Sequence, residues 1–288
     1  MYGEDSPIKN ILSAEELKAL DPINLVSKIK EITSYEHYIY YYGRKNLEAV
    51  KTLLNENHKT PETLKPLVAA KEFTEMTMES NKVYFVNYEM VQSEVMMLSN
   101  AGAYNEDLAA TTNVFNQYFG GGLSSIIFQE IRESKALAYS AYAAYTTPRK
   151  TNKSHYVRAY IGTQVDKLAD AKKAIMELMN EMPEVEDQFQ DSKMAALKKI
   201  ETSRTKRSRL FWNYLAAKEM GRDYDLNEKI YPQIKTLELA NLKTFFNKNI
   251  AGKNYTYLVI GNKELIDMDI LKEMGEFQEL TLEEIFGY

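Results

Sequence analysis

Asn116-Gln-Tyr-Phe-Gly-Gly-Gly-Leu-Ser-Ser-Ile-Ile-Phe-Gln-Glu-Ile-Arg-Glu-Ser-Lys-Ala-Leu-Ala-Tyr139 is the densest stretch of this 288-residue chain. Its three successive glycines, Gly120, Gly121 and Gly122, allow a sharp turn or a close backbone approach. Ser124 or Ser125 is placed to cap a short amphipathic helix over 126–133, whose first N–H groups are then free. Phe128 and Arg132 stand one turn apart on that helix and share a face. Tyr139 opens the next strand after a short loop. Arg and Tyr are both hydrogen-bond donors at neutral pH. Aimed at one point, they can hold a carbonyl oxygen and favour the charge that develops when it is attacked.

A plainer reading of the same residues is available. It makes Arg132 a surface residue on an amphipathic helix and Tyr139 a half-buried strand residue among 21 tyrosines. The glycines read first as a break between helices, and second as a close approach to an extended peptide. A phosphate cradle is the sharper alternative and is disfavoured, because a P-loop needs Gly-Lys-Ser/Thr and Leu123 follows the last glycine.

Working outward, 107–119 reads as a helix, and 83–88, 94–99, 139–146 and 156–163 read as strands. The last two form an antiparallel pair around a polar loop, 148–154. Helices follow over 168–182 and over one long stretch, 186–220, then two shorter ones. The last strand is 255–260, ended by Gly261, and a helical segment carries the C-terminus. At the N-terminal side, Ser13 and Glu16 have capping-box spacing, and Asp21-Pro22 starts a helix to about Ile32. His37-Tyr-Ile-Tyr-Tyr-Tyr42 reads as a strand closed by Gly43, with a helix near 47–54. Pro61, Pro66 and weak periodicity make the region 57–82 a crossing between units.

An internal repeat ties the two ends together. Residues 17–25, Leu-Lys-Ala-Leu-Asp-Pro-Ile-Asn-Leu, align with 234–242, Ile-Lys-Thr-Leu-Glu-Leu-Ala-Asn-Leu. Both lead, with one gap, to an aromatic-rich strand ending in glycine, Gly43 or Gly261, and then to a Lys- and Asn-containing turn and a helix. Gly3 and Gly221 stand in the same relation. The expected organisation is therefore 1–60 as the C-terminal part of an upstream sister domain, 61–82 as linker and 83–288 as a complete domain.

Composition narrows the chemistry. Lys and Arg total 36 against 41 Asp and Glu, a net charge of −5, which argues against a nucleic-acid protein as a whole. There is no cysteine, so disulfides, thiol catalysis and thiolate metal sites are excluded. The three histidines, His37, His58 and His155, show no ligand spacing, and no zinc helix is present. No stretch approaches 18 uncharged apolar residues and no signal-peptide pattern opens the chain. A soluble chain of unassigned compartment is expected. Lys193, Lys198, Lys199, Arg204, Lys206, Arg207 and Arg209 form a basic stretch. It reads first as a solvated face, with an RNA-binding strip or a wall attracting acidic peptides as the alternatives.

The Gly120–Tyr139 run resembles the pitrilysin/insulinase group of zinc metallopeptidases, family M16. The similar stretch there has glycines, a small-residue helix, Arg, six residues and Tyr. Arg132 and Tyr139 keep that spacing, with Phe128 four residues before the Arg. The repeat also resembles that family, which is built from copies of one α+β domain.

The resemblance implies an α+β fold, an antiparallel sheet covered by helices, of the mitochondrial-processing-peptidase-like type. It implies Arg132 and Tyr139 as catalytic and Phe128, Gly120, Gly121 and Gly122 as substrate-binding. The family's H-x-x-E-H is absent, so no metal is expected in this chain, and zinc is expected in a partner half, upstream or on a separate subunit. A peptide is the expected substrate, with no nucleic acid and no membrane span. The alternative is a catalytically dead scaffold or peptide-binding assembly subunit. Ala136 stands where the family has glycine.

Overall fold

Every residue, Met1–Tyr288, is described by the computed structural model. Burial divides the chain in two. No residue before Val83 is buried, whereas the remainder supplies a continuous core of 40 residues.

The N-terminal part carries α1 (Ala14–Ala19), α2 (Pro22–Glu31) and α3 (Leu47–Asn57). Each starts where its sequence signal lies. The capping box closes at α1, with Glu16 N–H donating to Ser13 Oγ at 3.2 Å and Ser13 N–H to Glu16 Oε2 at 2.8 Å. Asp21 caps α2 ahead of Pro22, and Asn46 caps α3. The strand expected at 37–42 does not join a sheet. Only an isolated bridge, Tyr35 to Lys65, forms nearby. Its counterpart in the second unit is a strand held between two others, and 37–42 has no such neighbours.

The second part begins with β1 (Lys82–Asn87) and β2 (Gln92–Ala103), then α4 (Ala109–Phe115), which widens into a π turn, Asn116–Gly120. A second π-helical segment, Phe128–Ser134, leads to β3 (Ser140–Thr146) and β4 (Ser154–Gln164). Then come α5 (Leu168–Asn180), α6 (Glu186–Thr202), α7 (Leu210–Glu219), α8 (Leu226–Thr236) and α9 (Leu239–Asn249). Finally β5 (Thr256–Gly261), α10 (Met268–Lys272), β6 (Glu276–Glu279) and α11 (Leu282–Phe286) end the chain. No helix is long and apolar enough to cross a membrane.

The six strands form one sheet in the order β3-β4-β2-β5-β1-β6. Pairing is antiparallel from β3 to β5, as expected, and β1 is parallel to both β5 and β6, so the sheet as a whole is mixed. Period-2 alternation sends Val83 and Phe85, Val95 and Met97, Ala141 and Tyr145, and Tyr257 and Val259 into the core. The helices meet them with an aromatic cluster: the Phe115 ring lies 5.1 Å from Phe119 and 5.1 Å from Phe245, which stands edge-on to Tyr145 at 4.9 Å.

Three readings need correction. The long helix is two, because 203–206 leaves the helical path between α6 and α7. β6 lies where helix was expected, a four-residue strand with one apolar residue, Phe277. The Ser125 hydroxyl does not cap a helix N–H; it donates to the Gly122 carbonyl at 2.8 Å.

The repeat has a counterpart in the backbone. Gly3 and Gly221 both take left-handed conformations, φ +59° and +68°. The last residues of α2 and α9 are as far apart in the chain as Gly43 and Gly261. Environments differ, however: Ile234 and Leu242 are fully buried, while their counterparts Leu17 and Leu25 are exposed.

Candidate active site at the β3 edge

β3 ends the sheet on one side, so half of its peptide groups have no strand partner. Tyr139 immediately precedes it. Its N–H donates to the Gly162 carbonyl at 2.9 Å, which holds the chain against β4. Its ring is 57% exposed, and its hydroxyl accepts from Gln164 Nε2 at 3.5 Å.

Arg132 lies on the π-helical segment that leads into β3. Ile131 beside it is fully buried and anchors that turn. The guanidinium lies 4.8 Å from the centre of the Phe128 ring, and Glu133 is 3.9 Å from Arg132 Nε. The Arg132 side chain is 45% exposed, so the stacked ring orients the cation without enclosing it.

A tight return joins the two residues. Lys135 N–H donates to the Glu130 carbonyl at 3.2 Å and Leu137 N–H to the Ile131 carbonyl at 2.9 Å. Ala136 stands between them at φ +49°, and no other residue except glycine has a positive φ. That conformation costs a side-chain-bearing residue about 1–2 kcal/mol. Lys167 Nζ donates to the Ala136 carbonyl at 3.0 Å, and Thr163 Oγ1 to the Leu137 carbonyl at 2.6 Å. The return is held from both sides.

The three glycines do three different things. Gly120 is fully buried beneath β3, where a Cβ would overlap the Ala143 backbone. It brings the end of the α4 turn against the strand and is closed to any ligand, which corrects its expected place among the substrate-binding residues. Gly121 and Gly122 are exposed. Gly122 has φ +118° in open space, a conformation that only glycine adopts freely.

Asn116, which the sequence reading passed over, brackets Tyr145. It donates to the Tyr145 carbonyl at 3.0 Å and accepts from its N–H at 2.8 Å. A polar residue at the point where a helix ends was the available signal.

Elsewhere, Glu106 collects Arg222 Nε at 2.7 Å, Lys229 Nζ at 2.7 Å and the Tyr224 hydroxyl. Burial works against its ionisation, but hydrogen bonds from Lys229, Tyr224 and Arg222 outweigh that and pull its carboxyl down to about 2. His155 is buried on β4, accepts from Asn105 N–H at 3.0 Å, and is lowered chiefly by desolvation. His37 and His58, 21 residues apart, meet Nε2 to Nε2 at 2.7 Å, a contact their spacing did not suggest. No three His, Asp or Glu side chains are grouped so as to hold a metal. The residues present do not fit a zinc site.

One mixed sheet with helices packed against it defines an α+β unit. Residues 38–200, more than half of the chain, match the model of the peptidase M16 inactive domain, and the chain belongs to that family. Solved structures agree on the fold. An M16 inactive domain from Pseudomonas fluorescens is 16% identical over 69% of this chain and 47% of its own, with TM-score 0.55. A conserved protein from Enterococcus faecalis V583 is 15% identical over 87% and 58%, TM-score 0.68. The ferredoxin protease FusC, solved in complex with Arabidopsis ferredoxin, is 10% identical over 88% of this chain and 28% of its own, TM-score 0.65. The chain thus spans about half the length of the first two. No curated protein sequence matches it.

Proposed function

We propose that this chain is the zinc-lacking half of an M16-type metallopeptidase, completing an active site whose zinc lies in another segment or subunit. In this reading residues 1–60 belong to an upstream sister unit, 61–82 cross between units, and 83–288 form the domain that meets the substrate. The observation that carries the proposal is the exposure of Arg132 and Tyr139 at the start of the sheet's open edge.

An extended peptide pairs with the outer peptide groups of β3 that precede Tyr145, whose own groups Asn116 holds, and so becomes an outer strand. Its scissile carbonyl then lies at the Tyr139 end. There the guanidinium and the phenol donate to the carbonyl oxygen and hold the charge that develops on it. Gly121 and Gly122 keep side chains away from the passing chain. The metal of the partner half supplies the activated water.

The test is made in the complete two-half enzyme. Arg132→Ala and Tyr139→Phe should each lower kcat/KM by about 100-fold or more, with association of the halves unchanged. Unaltered turnover in both variants would remove the catalytic role and leave a scaffold.

A further inference from the structure

His155 sits on β4 with both ring nitrogens committed to the backbone. Nε2 accepts from Asn105 N–H at 3.0 Å, so the proton is on Nδ1, which donates to the Thr146 carbonyl at 3.2 Å. The residue is 1% exposed. Its ring lies between that of Tyr104, stacked at 5.7 Å, and that of Tyr145 at 5.0 Å. A second proton has no acceptor here. It would sit on Nε2 and face the Asn105 N–H, donor against donor, in a place closed to water.

The surroundings offer an imidazolium no counter-charge. Both hydrogen bonds of the ring go to backbone groups, and burial lowers its affinity for a proton. From β3 it meets Tyr145, whose phenol burial pushes up to about 12, so it stays neutral. Behind Tyr145 stands Phe245 of α9. From the chain after β2 it meets Tyr104, whose hydroxyl donates to Glu106 at 3.2 Å and accepts from Arg222 Nη2 at 2.9 Å. From the segment before β1, Glu75 accepts from Ser154 N–H at 2.9 Å, and Lys153 Nζ donates to the Phe73 carbonyl at 2.7 Å.

Asn105 marks the corner where β2 gives way to α4. Its side chain accepts from Asp107 N–H at 3.0 Å and so starts the 106–108 turn. Its neighbour Glu106 clasps Arg222 and Lys229. Just before the corner, the β2–β4 register slips between Asn100 and Ala103, and Gly102 takes φ +96° in open space. A bulge and a glycine supply a hinge.

We propose that His155 is an acid-sensitive latch for this corner. Neutral, it holds residues 104–108 against β4; protonated, it releases Asn105, and the corner opens about Gly102. The latch uses neither Arg132 nor Tyr139 and does not rest on their role. A free imidazole takes up its proton near about pH 6.5, and the closed corner resists it. Closure is therefore fully favoured above about pH 6.5 and weakens as pH falls below that value. With the ordinary affinity in the open form and no uptake in the closed one, the opening equilibrium rises about thirtyfold between about pH 7.5 and about pH 5.

Amide exchange of the intact chain, read by mass spectrometry and corrected for the intrinsic effect of pH, measures this equilibrium. Residues 104–108 should lose protection by about tenfold or more over that range. They should exchange well before the β1 and β5 amides at both ends of it. His155→Gln keeps a donor and an acceptor but cannot titrate, and should show no such step. His37→Gln/His58→Gln should keep it. In the unmodified chain, the His155 ring followed by NMR should titrate below the free value, and the Asn105 amide resonance should move with it; that arm needs no variant to fold. The latch is overturned if protection of 104–108 is unchanged, or is lost only together with that of β1 and β5. It is equally overturned if the step survives in His155→Gln, vanishes in His37→Gln/His58→Gln, or if the Asn105 resonance does not follow the His155 titration.

Discussion

Replacing Ala136 by glycine should stabilise the protein, although glycine substitutions usually do the opposite. Ala136 sits at φ +49°, where its Cβ crowds the backbone at a cost of about 1–2 kcal/mol. Glycine removes that cost but gives the unfolded chain about 0.4–1 kcal/mol of extra freedom. The methyl group is exposed, so its loss forfeits little burial. The Lys167 hydrogen bond goes to the Ala136 carbonyl, which the change leaves intact. The balance is a gain of about 0.5–1 kcal/mol. Urea unfolding read by circular dichroism should show a raised midpoint with an unchanged slope. Ala136→Val is the control, because a β-branched residue tolerates this region worst, and it should cost about 1 kcal/mol or more. A glycine variant that is less stable, or a valine variant of unchanged stability, would refute the strain at this turn.

Gly120→Ala should cost about 3 kcal/mol or prevent folding, because its Cβ would enter the Ala143 backbone; comparable thermal unfolding of variant and parent would contradict that packing. Glu106→Gln should lower stability at neutral pH by about 2 kcal/mol through loss of charged hydrogen bonds. The depressed Glu106 carboxyl contributes stability that is fully present above the ordinary glutamate range and is lost as pH falls through it toward about 2. The parent should therefore lose stability on acidification between about pH 5 and 2, and the variant's acid limb, measured by urea midpoint against pH, should be flatter. Deleting residues 1–64 should change the unfolding free energy of the 83–288 unit by less than about 1 kcal/mol, since no deleted residue is buried; a large fall in its calorimetric transition would mean that the N-terminal elements belong to its core.

Much of the sheet was legible because Val83/Phe85 and Val95/Met97 alternate cleanly, and burial on one face enforces that period. β6 was not, since Glu276-Phe-Gln-Glu279 has a single apolar residue and is strand only because β1 offers it a partner. The break at 203–206 contains neither proline nor glycine, so nothing local announces it. The Arg132–Tyr139 stretch was legible as a spacing, but the separate duties of Gly120, Gly121 and Gly122 were not. Only the position of β3 over Gly120 distinguishes them. Residue 38–42 shows the reverse failure: local propensity for a strand was present and a neighbour to pair with was not.

The two margins of the sheet are unequal. β6 is four residues long and bears Glu276 and Glu279, which reach Lys82 and Lys263, so it makes a poor template for further pairing. β3 is longer and no strand pairs with its outer side, although Asn116 holds the Tyr145 peptide groups there. Copies of this chain cannot readily join head to tail through their sheets, because each would need two receptive margins to propagate a fibre. One unpaired margin can therefore persist without making the molecule a seed for its own polymerisation.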